Sequence, residues 1–367
     1  MKEKRKGAEL RHLDEDCCFA ASNSAHGFHS FYAEFFDDVD VDRVFVIKGG
    51  PGTGKSRFMR EVSAYATARG WQSRMIYCSS DADSLDGVIL QNGVRRWALL
   101  DGTSPHVYEP KSPGVREELI NLGEFWDSDR LVASKEEIEF QNRIKQEGYR
   151  RAYRYLSAYG SILENYKSRI LPHVRMQAVF DYARKLLSQI PSGENFGAQT
   201  CVMESIGMSG RVAFDSFFCQ ATRLYLIEDC KKTAPYLTEA LYRLAVEKKQ
   251  QVRVCRNPII PEQIDGIFFL KSGIAFAIHP KTDLNLPHHR ISMRRFLKMP
   301  ELRAIKEASL FDERMMCAML DGTLAEMKVV RAAHFALEEI YSASMDFERK
   351  EEFTKSFCNR WFDLKNS

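Results

Sequence analysis

Gly49-Gly50-Pro51-Gly52-Thr53-Gly54-Lys55-Ser56 follows directly on the apolar run Val44-Phe45-Val46-Ile47. The octapeptide is a GxxxxGK[ST] pattern, and its flanks give it meaning. A strand leading in and a helix leading out make backbone N–H groups and a helix N-terminus converge on phosphate oxygens. Both flanks are legible here. Arg43 to Lys48 reads as a short buried strand, and Phe58, Val62, Tyr65 and Ala66 recur at helical spacing before Gly70 stops the run. The expected fold class is α/β.

Each residue type in the loop has a physical task. Gly49, Gly50, Gly52 and Gly54, with Pro51 and Thr53 between them, let the backbone approach phosphate without Cβ clashes, and Lys55 brings an ammonium to the β- and γ-phosphates. Ser56 is the expected Mg²⁺ ligand. Arg57 is expected among the nucleotide-binding residues; for a kinase, Arg57, Arg60, Arg95 and Arg96 could neutralise a transferred phosphate, but nothing resembles a lid with paired arginines. A second Mg²⁺ contact is expected from an acidic residue that ends a neighbouring strand. Asp101 fits, because it closes the apolar run Trp97 to Leu100 and opens the polar loop Gly102-Thr103-Ser104-Pro105-His106. Lys55 and Asp101 are thus the expected catalytic pair. No single residue stands out to orient a water molecule; Asp81, Asp83, Asp86, Thr103, His106 and Glu109 are the candidates.

Composition narrows the setting. The chain has 367 residues, 44% hydrophobic and 28% charged, so a globular protein with room for two domains is expected. A net charge of +3 is too small to imply a nucleic-acid or membrane partner, and the basic tip Lys2, Lys4, Arg5 and Lys6 reads as a solvated tail. No apolar run approaches the ~18 residues of a membrane span, and the polar start lacks a signal-peptide core, so the cytoplasm is the expected compartment. The nine cysteines show neither a CxxC pair nor zinc spacing and are expected to be reduced, buried side chains.

The chain also repeats itself at an offset near 180 residues. Arg43-Val-Phe-Val-Ile47 matches Arg223-Leu-Tyr-Leu-Ile227, Gln72-Ser-Arg-Met75 matches Gln251-Val-Arg-Val254, and Leu85-Asp86-Gly87-Val88-Ile89 matches Ile264-Asp265-Gly266-Ile267-Phe268. Hairpin turns follow at Asn92-Gly93 and Ser272-Gly273. Where the first copy has its glycine loop, the second has Glu228-Asp229-Cys230-Lys231-Lys232-Thr233-Ala234-Pro235, without a glycine and with Pro235 expected at the place of Lys55. Two carboxylates and the missing glycines exclude a triphosphate there. His279 is expected at the place of Asp101, and the recurrence of Asp86 as Asp265 points to a structural role.

A helical stretch follows each copy. Ser134 and Glu137 form a capping-box pattern, and Tyr149, Ala152, Tyr153, Leu156, Leu163, Tyr166 and Ile170 keep a helical stripe until Pro172. Another helix covers Met176 to Ile190, and Val330, His334, Leu337, Ile340 and Tyr341 make a second stripe. With Pro191-Ser192-Gly193 as linker, the expected domains are residues 1–127, 128–193, 194–300 and 301–367. The arginines and tyrosines of Tyr149 to Tyr155 resemble a single-strand binder, but their spacing makes the tyrosines a packing face. His288-His289 and the His334/Glu338 pair lack a third metal ligand in sequence.

GGPGTGKS at Gly49 to Ser56, SLDG at Ser84 to Gly87 and DGTSPH at Asp101 to His106 resemble an uncharacterised bacterial family of tandem P-loop ATPase-like proteins. The likeness runs in order through nearly the whole chain. It implies P-loop NTPase-like three-layer α/β/α modules in tandem, each followed by a helical segment. The family's second module usually has a P-loop of its own, from which Glu228 to Pro235 depart. The resulting expectation is an Mg-ATP-binding protein with one competent site and a pseudo-module, acting as a slow or partner-stimulated ATPase with an unidentified protein partner. A small-molecule or nucleotide kinase and a non-hydrolysing, nucleotide-stabilised scaffold are the alternatives.

Overall fold

A computed structural model of the chain describes residues 8–13, 16–37, 40–93, 95–105, 108–279 and 286–363. His106 and the basic tip Lys2, Lys4, Arg5 and Lys6 lie outside the described residues. The first copy of the repeat contains strands β1 (Asp16–Phe19), β2 (Arg43–Lys48), β3 (Gln72–Tyr77), β4 (Leu85–Asn92), β5 (Arg95–Asp101) and β6 (Glu117–Asn121), with helix α1 (Lys55–Thr67) after β2. The long helix α2 (Lys135–Ile170) and the short helix α3 (Met176–Leu186) follow. The second copy contains β7 (Gly197–Val202), β8 (Arg223–Glu228), helix α4 (Ala234–Glu247), β9 (Gln251–Arg256), β10 (Ile264–Phe269), β11 (Ile274–Ile278) and β12 (His289–Ser292). Helices α5 (Lys306–Ala343) and α6 (Phe347–Cys358) follow in turn.

The repeat seen in the residues is a repeat of topology. In the first copy the strands line up β1-β3-β4-β5-β2-β6, and in the second β7-β9-β10-β11-β8-β12. The pairing senses agree at every step: parallel, antiparallel, antiparallel, parallel, parallel. Even the bulge recurs, between Ile76 and Tyr77 and between Cys255 and Arg256. The fold is therefore α/β with mixed, mostly parallel strand pairing. The β2 residues Val44, Phe45, Val46 and Ile47 are fully buried, as a continuous apolar run in a strand covered on both faces must be.

Register corrects two alignments. Ile47 pairs with Asp101, and Ile227 pairs with Ile278. The next residues, Gly102 and His279, donate their N–H to Ile47 and Ile227. Ile278 thus stands in the place of Asp101, and His279 in that of Gly102. At the other end of the helices, Gly70 and Lys249 close on Thr67 and Val246 in the same way. Since α1 and α4 begin at Lys55 and Ala234, Ala234 occupies the place of Lys55 and Pro235 that of Ser56. The second loop is one residue shorter, which shifts the whole octapeptide.

Packing order departs from chain order. One compact unit comprises residues 15–21, 30–151 and 325–367; the other comprises 1–14, 22–29 and 152–324. The helix that completes the first copy is thus the C-terminal α6. Phe357 meets Phe45 edge-on at 5.0 Å, and Phe353 stacks on Phe58 at 6.1 Å. Aromatic pairs of this kind contribute about 0.5–1.5 kcal/mol each beyond their burial. In the other unit Val179 and Ala183 of α3 share a core with Leu237, Leu241 and Leu244 of α4. The crossings match too. Asp127 N–H bonds to Ser344 O at 2.8 Å and Asp346 N–H to Phe125 O at 2.9 Å, while Arg175 N–H bonds to Phe296 O at 2.8 Å and Lys298 N–H to His173 O at 2.9 Å. A sheet-and-helix block needs a further apolar layer, but nothing in a helical stripe says which block it will cover.

Smaller expectations are also adjusted. Ser134 does not cap α2; its hydroxyl turns back to the Arg130 carbonyl at 3.2 Å. Tyr65 lies at the surface, its hydroxyl on Asn359 and Asp363, while Met59 is buried with Phe58 and Val62. Ala152, Leu156, Leu163, Tyr166 and Ile170 are buried along α2, with Arg150 and Arg154 exposed. Among the described residues no disulfide joins the nine cysteines; Cys17, Cys18, Cys201, Cys255 and Cys358 are buried, Cys78, Cys230 and Cys317 half-buried and Cys219 exposed. Among the described residues, no helix is long and apolar enough to cross a membrane.

Candidate functional site

Because β5 runs parallel beside β2, their C-terminal ends deliver Asp101 and the glycine loop to one edge. Lys55, the first residue of α1, folds back over that loop. Its ammonium donates to Gly49 O at 2.9 Å and Gly50 O at 2.8 Å and lies 3.5 Å from Asp101 Oδ2. Both side chains are 13% exposed, so the pair works in a medium of low polarity where each charge depends on the other. Burial raises the pKa of Asp101; the Lys55 charge opposes that shift and the nearby Asp86 reinforces it. Thr103 ties the two loops together, donating its N–H to Asp101 Oδ1 at 2.8 Å and its hydroxyl to Gly49 O at 2.9 Å. Ser56 Oγ accepts from Leu85 N–H at 3.0 Å, which fixes the hydroxyl in the first turn of α1. Arg57 is not brought in. Its guanidinium is exposed and bound to Glu61 and Glu351, each at 2.8 Å. Arg60 is also occupied elsewhere, donating to Asp83 O at 3.0 Å.

The loop has a roof that its own sequence does not show. Helices α2 and α5 approach so closely that a Cβ on Gly148 would lie 2.7 Å from Val330 Cγ2. This approach sets Lys145 Nζ 3.3 Å from His334 Nδ1, and His334 Nε2 lies 3.5 Å from Glu338. One turn further along α5, the Ser342 hydroxyl, which donates to Glu338 O at 2.6 Å, lies 3.4 Å from Gly52 O, and Tyr341 and Trp126 flank Gly50. The Trp126 indole N–H is buried without an acceptor among the described residues. Burial lowers the pKa of Lys145, and the ammonium of Lys55 is near enough to push it the same way. Asp81 faces His334 and Glu338; its pKa is raised, chiefly by burial, whereas hydrogen bonding to His334 lowers that of Glu338. Asp83 N–H bonds to Asp81, and Glu109 is exposed.

Gly52 is the point of closest approach. Its φ is +70°, and an added Cβ would sit 2.5 Å from Glu338 O and 2.8 Å from Ser342 Oγ. A side chain there meets both a left-handed backbone, costing roughly 1–2 kcal/mol, and the backbone of α5. Gly52→Ala is expected to lower the thermal midpoint and to expose residues 338–342 to amide exchange. An unchanged midpoint with unchanged protection would show that α5 does not rest on this loop.

The second copy satisfies itself. Asp229 Oδ1 accepts from Ala234 N–H at 3.0 Å, placing a carboxylate on the first turn of α4. Helix α1 has no such group: its N-cap is Gly54, without a side-chain hydrogen bond and with no acidic residue in the first turn. Lys231 and Lys232 adopt the left-handed φ values +61° and +57° without being glycine. Lys231 is held by Glu313 at 2.9 Å. Burial works against the charge of Lys232, yet Tyr159, Asp229 and Asp265 keep its pKa raised. Asp265 accepts from Gln263 at 2.8 Å and Asn257 at 2.7 Å, and burial lifts its pKa to about 6. Its contribution to stability is therefore complete at acid pH and is lost as pH rises through about 6. Asp265 is structural, in line with its recurrence. His289 stacks on Tyr225 and His288 bonds to Leu286 O; neither joins a metal-ligand cluster among the described residues.

Compared with known proteins, the chain matches no family model, no curated protein and no solved structure. Lys55, Ser56 and Asp101 are legible in the residues, whereas Lys145 and Trp126 are not. His334 and Glu338 are legible only as an i, i+4 pair on a helix whose packing partner no spacing records.

Proposed function

We propose that the loop from Gly49 to Ser56 is a P-loop that binds Mg-ATP and hydrolyses it slowly, or faster when a protein partner is present. The observation that carries this reading is the contrast between the two helix N-termini. The α4 terminus is supplied with the Asp229 carboxylate, whereas the α1 terminus has no anion of its own and has Lys55 beside it. A helix N-terminus with free N–H groups and an adjacent ammonium is completed by phosphate. In this reading Lys55 exchanges the Gly49 and Gly50 carbonyls for the β- and γ-phosphates. Ser56 and Asp101 fit a hard cation, one offering a hydroxyl and the other a buried carboxylate at the end of the adjacent strand, and they would hold Mg²⁺. The ion would supply charge neutralisation on the phosphates.

The roof residues take the remaining roles. Lys145, held by His334 and close to Lys55, presents a second ammonium to the terminal phosphate. Asp81 is the carboxyl whose raised pKa suits it to take a proton from water. Site residues come from one unit throughout, so one competent site per chain is expected.

Following ATP, ADP and inorganic phosphate together tests the reaction. Hydrolysis predicts ADP and phosphate in equal amounts without any acceptor, at an unstimulated rate on the order of 10⁻³–10⁻² s⁻¹. ADP without phosphate, dependent on an added acceptor, would make the protein a kinase. Binding with no turnover under any condition would leave only the scaffold role.

A further inference from the structure

The strand at Glu9–Arg11 pairs in parallel with Gly210–Phe214, Arg11 opposite Phe214. Continuing that register by one residue brings His12 beside Asp215, although 203 residues separate them. His12 Nδ1 lies 2.6 Å from Asp215 Oδ2. Asp215 also opens the helical turn Ser216–Cys219, and Cys219 N–H bonds to its carbonyl at 3.0 Å. The i, i+4 spacing puts the Cys219 thiol on the same carboxyl. One nitrogen, one oxygen and one sulfur ligand atom thus lie within 4.8 Å of one another.

Two features show that the cluster is more than a hydrogen-bonded pair. The Asp215 side chain is only 8% exposed, and its second oxygen, Oδ1, has no hydrogen-bond partner among the described residues. Leaving a buried carboxylate oxygen unpaired is costly, and a bound cation would offset that cost. The imidazole of His12 is 68% exposed and Cys219 is exposed, so an ion has a route in from solvent. The donor set decides which ion. Thiolate, imidazole and carboxylate together suit Zn²⁺, whereas Mg²⁺ and Ca²⁺ take oxygen donors.

We propose that His12, Asp215 and Cys219 form a three-ligand Zn²⁺ site with a fourth position open to water or a small ligand. A cysteine binds Zn²⁺ as its thiolate, so binding releases a proton and affinity rises with pH.

Co²⁺ as a probe tests the proposal in the full-length, reduced, chelator-treated protein. The expected result is a thiolate-to-cobalt charge-transfer band that saturates at one ion per chain, is displaced by Zn²⁺ and is untouched by Mg²⁺. Cys219→Ser should abolish the band, and His12→Ala should weaken Zn²⁺ binding at least about tenfold. Both replaced side chains are exposed, so the variants should fold, which their melting curves would verify. Absence of the band, or its persistence in Cys219→Ser, would overturn the proposal, the latter by placing the ion on another cysteine.

Discussion

Lys55→Ala is expected to weaken Mg-ATP binding by at least about 30-fold, equivalent to ~2 kcal/mol, with a smaller effect on thermal stability. Removing one member of a buried, hydrogen-bonded charge pair typically costs about 2–5 kcal/mol of binding. Lys55 makes two hydrogen bonds to loop carbonyls and faces Asp101 at 3.5 Å, so its ammonium is already positioned over the loop. The variant would leave Asp101 buried without its cation and push the carboxyl further toward its neutral form, which also weakens any Mg²⁺ contact. Calorimetric titration of both proteins with ATP and Mg²⁺ measures the effect, with Asp229→Ala as a control expected to leave affinity unchanged. Equal affinity in wild type and Lys55→Ala would overturn the nucleotide reading. So would loss of binding only in the Asp229 variant, which would move the site to the second copy.

The second large effect is expected at Lys145. Wild type should bind a non-hydrolysable ATP analogue more tightly than ADP, and Lys145→Met should lose about tenfold or more toward the analogue while changing ADP affinity by less than about threefold. The magnitude follows from one hydrogen bond to a charged group, about 1.5–3 kcal/mol. The selectivity follows from position. Lys145 is held at His334 and stands near enough to Lys55 for the two charges to repel, so a third phosphate is expected to engage both ammonium groups where a diphosphate engages one. Methionine keeps the length and apolar stem of the side chain, which limits the loss of packing. Equal losses for the analogue and ADP would make Lys145 a general electrostatic contributor. No loss for either would remove it from the site.

Several parts of this picture were legible without coordinates because they are local. The β2 run, the left-handed glycines and the helical start at Lys55 lie within a few residues of one another, so backbone chemistry alone links them. Asp101 was found because a strand that ends in a carboxylate is itself a local pattern. The repeat was legible as matched segments, but its register was not. A glycine loop one residue shorter moved Pro235 from the expected place of Lys55 to that of Ser56, and a shorter hairpin, with Gly266 opposite Ala277 where Gly87 is opposite Leu100, moved His279 from the place of Asp101 to that of Gly102. Arg57 is expected at the nucleotide from its charge. The helix turns it outward to Glu61 and Glu351, since consecutive helical residues point about 100° apart.

By itself, then, the sequence determined the strand–loop–helix at residues 43–67, its mixed α/β class and its duplication, all consequences of short-range geometry and residue chemistry. Only the tertiary structure decided that α6 rather than α3 covers the first copy, that Lys145 and His334 come to stand over the loop, and that His12 meets Asp215 and Cys219. The reason is physical. An amphipathic helix states how much apolar surface it must bury but not against what, and side chains 100 or 200 residues apart are brought together by strand register and helix crossing, which no spacing along the chain records.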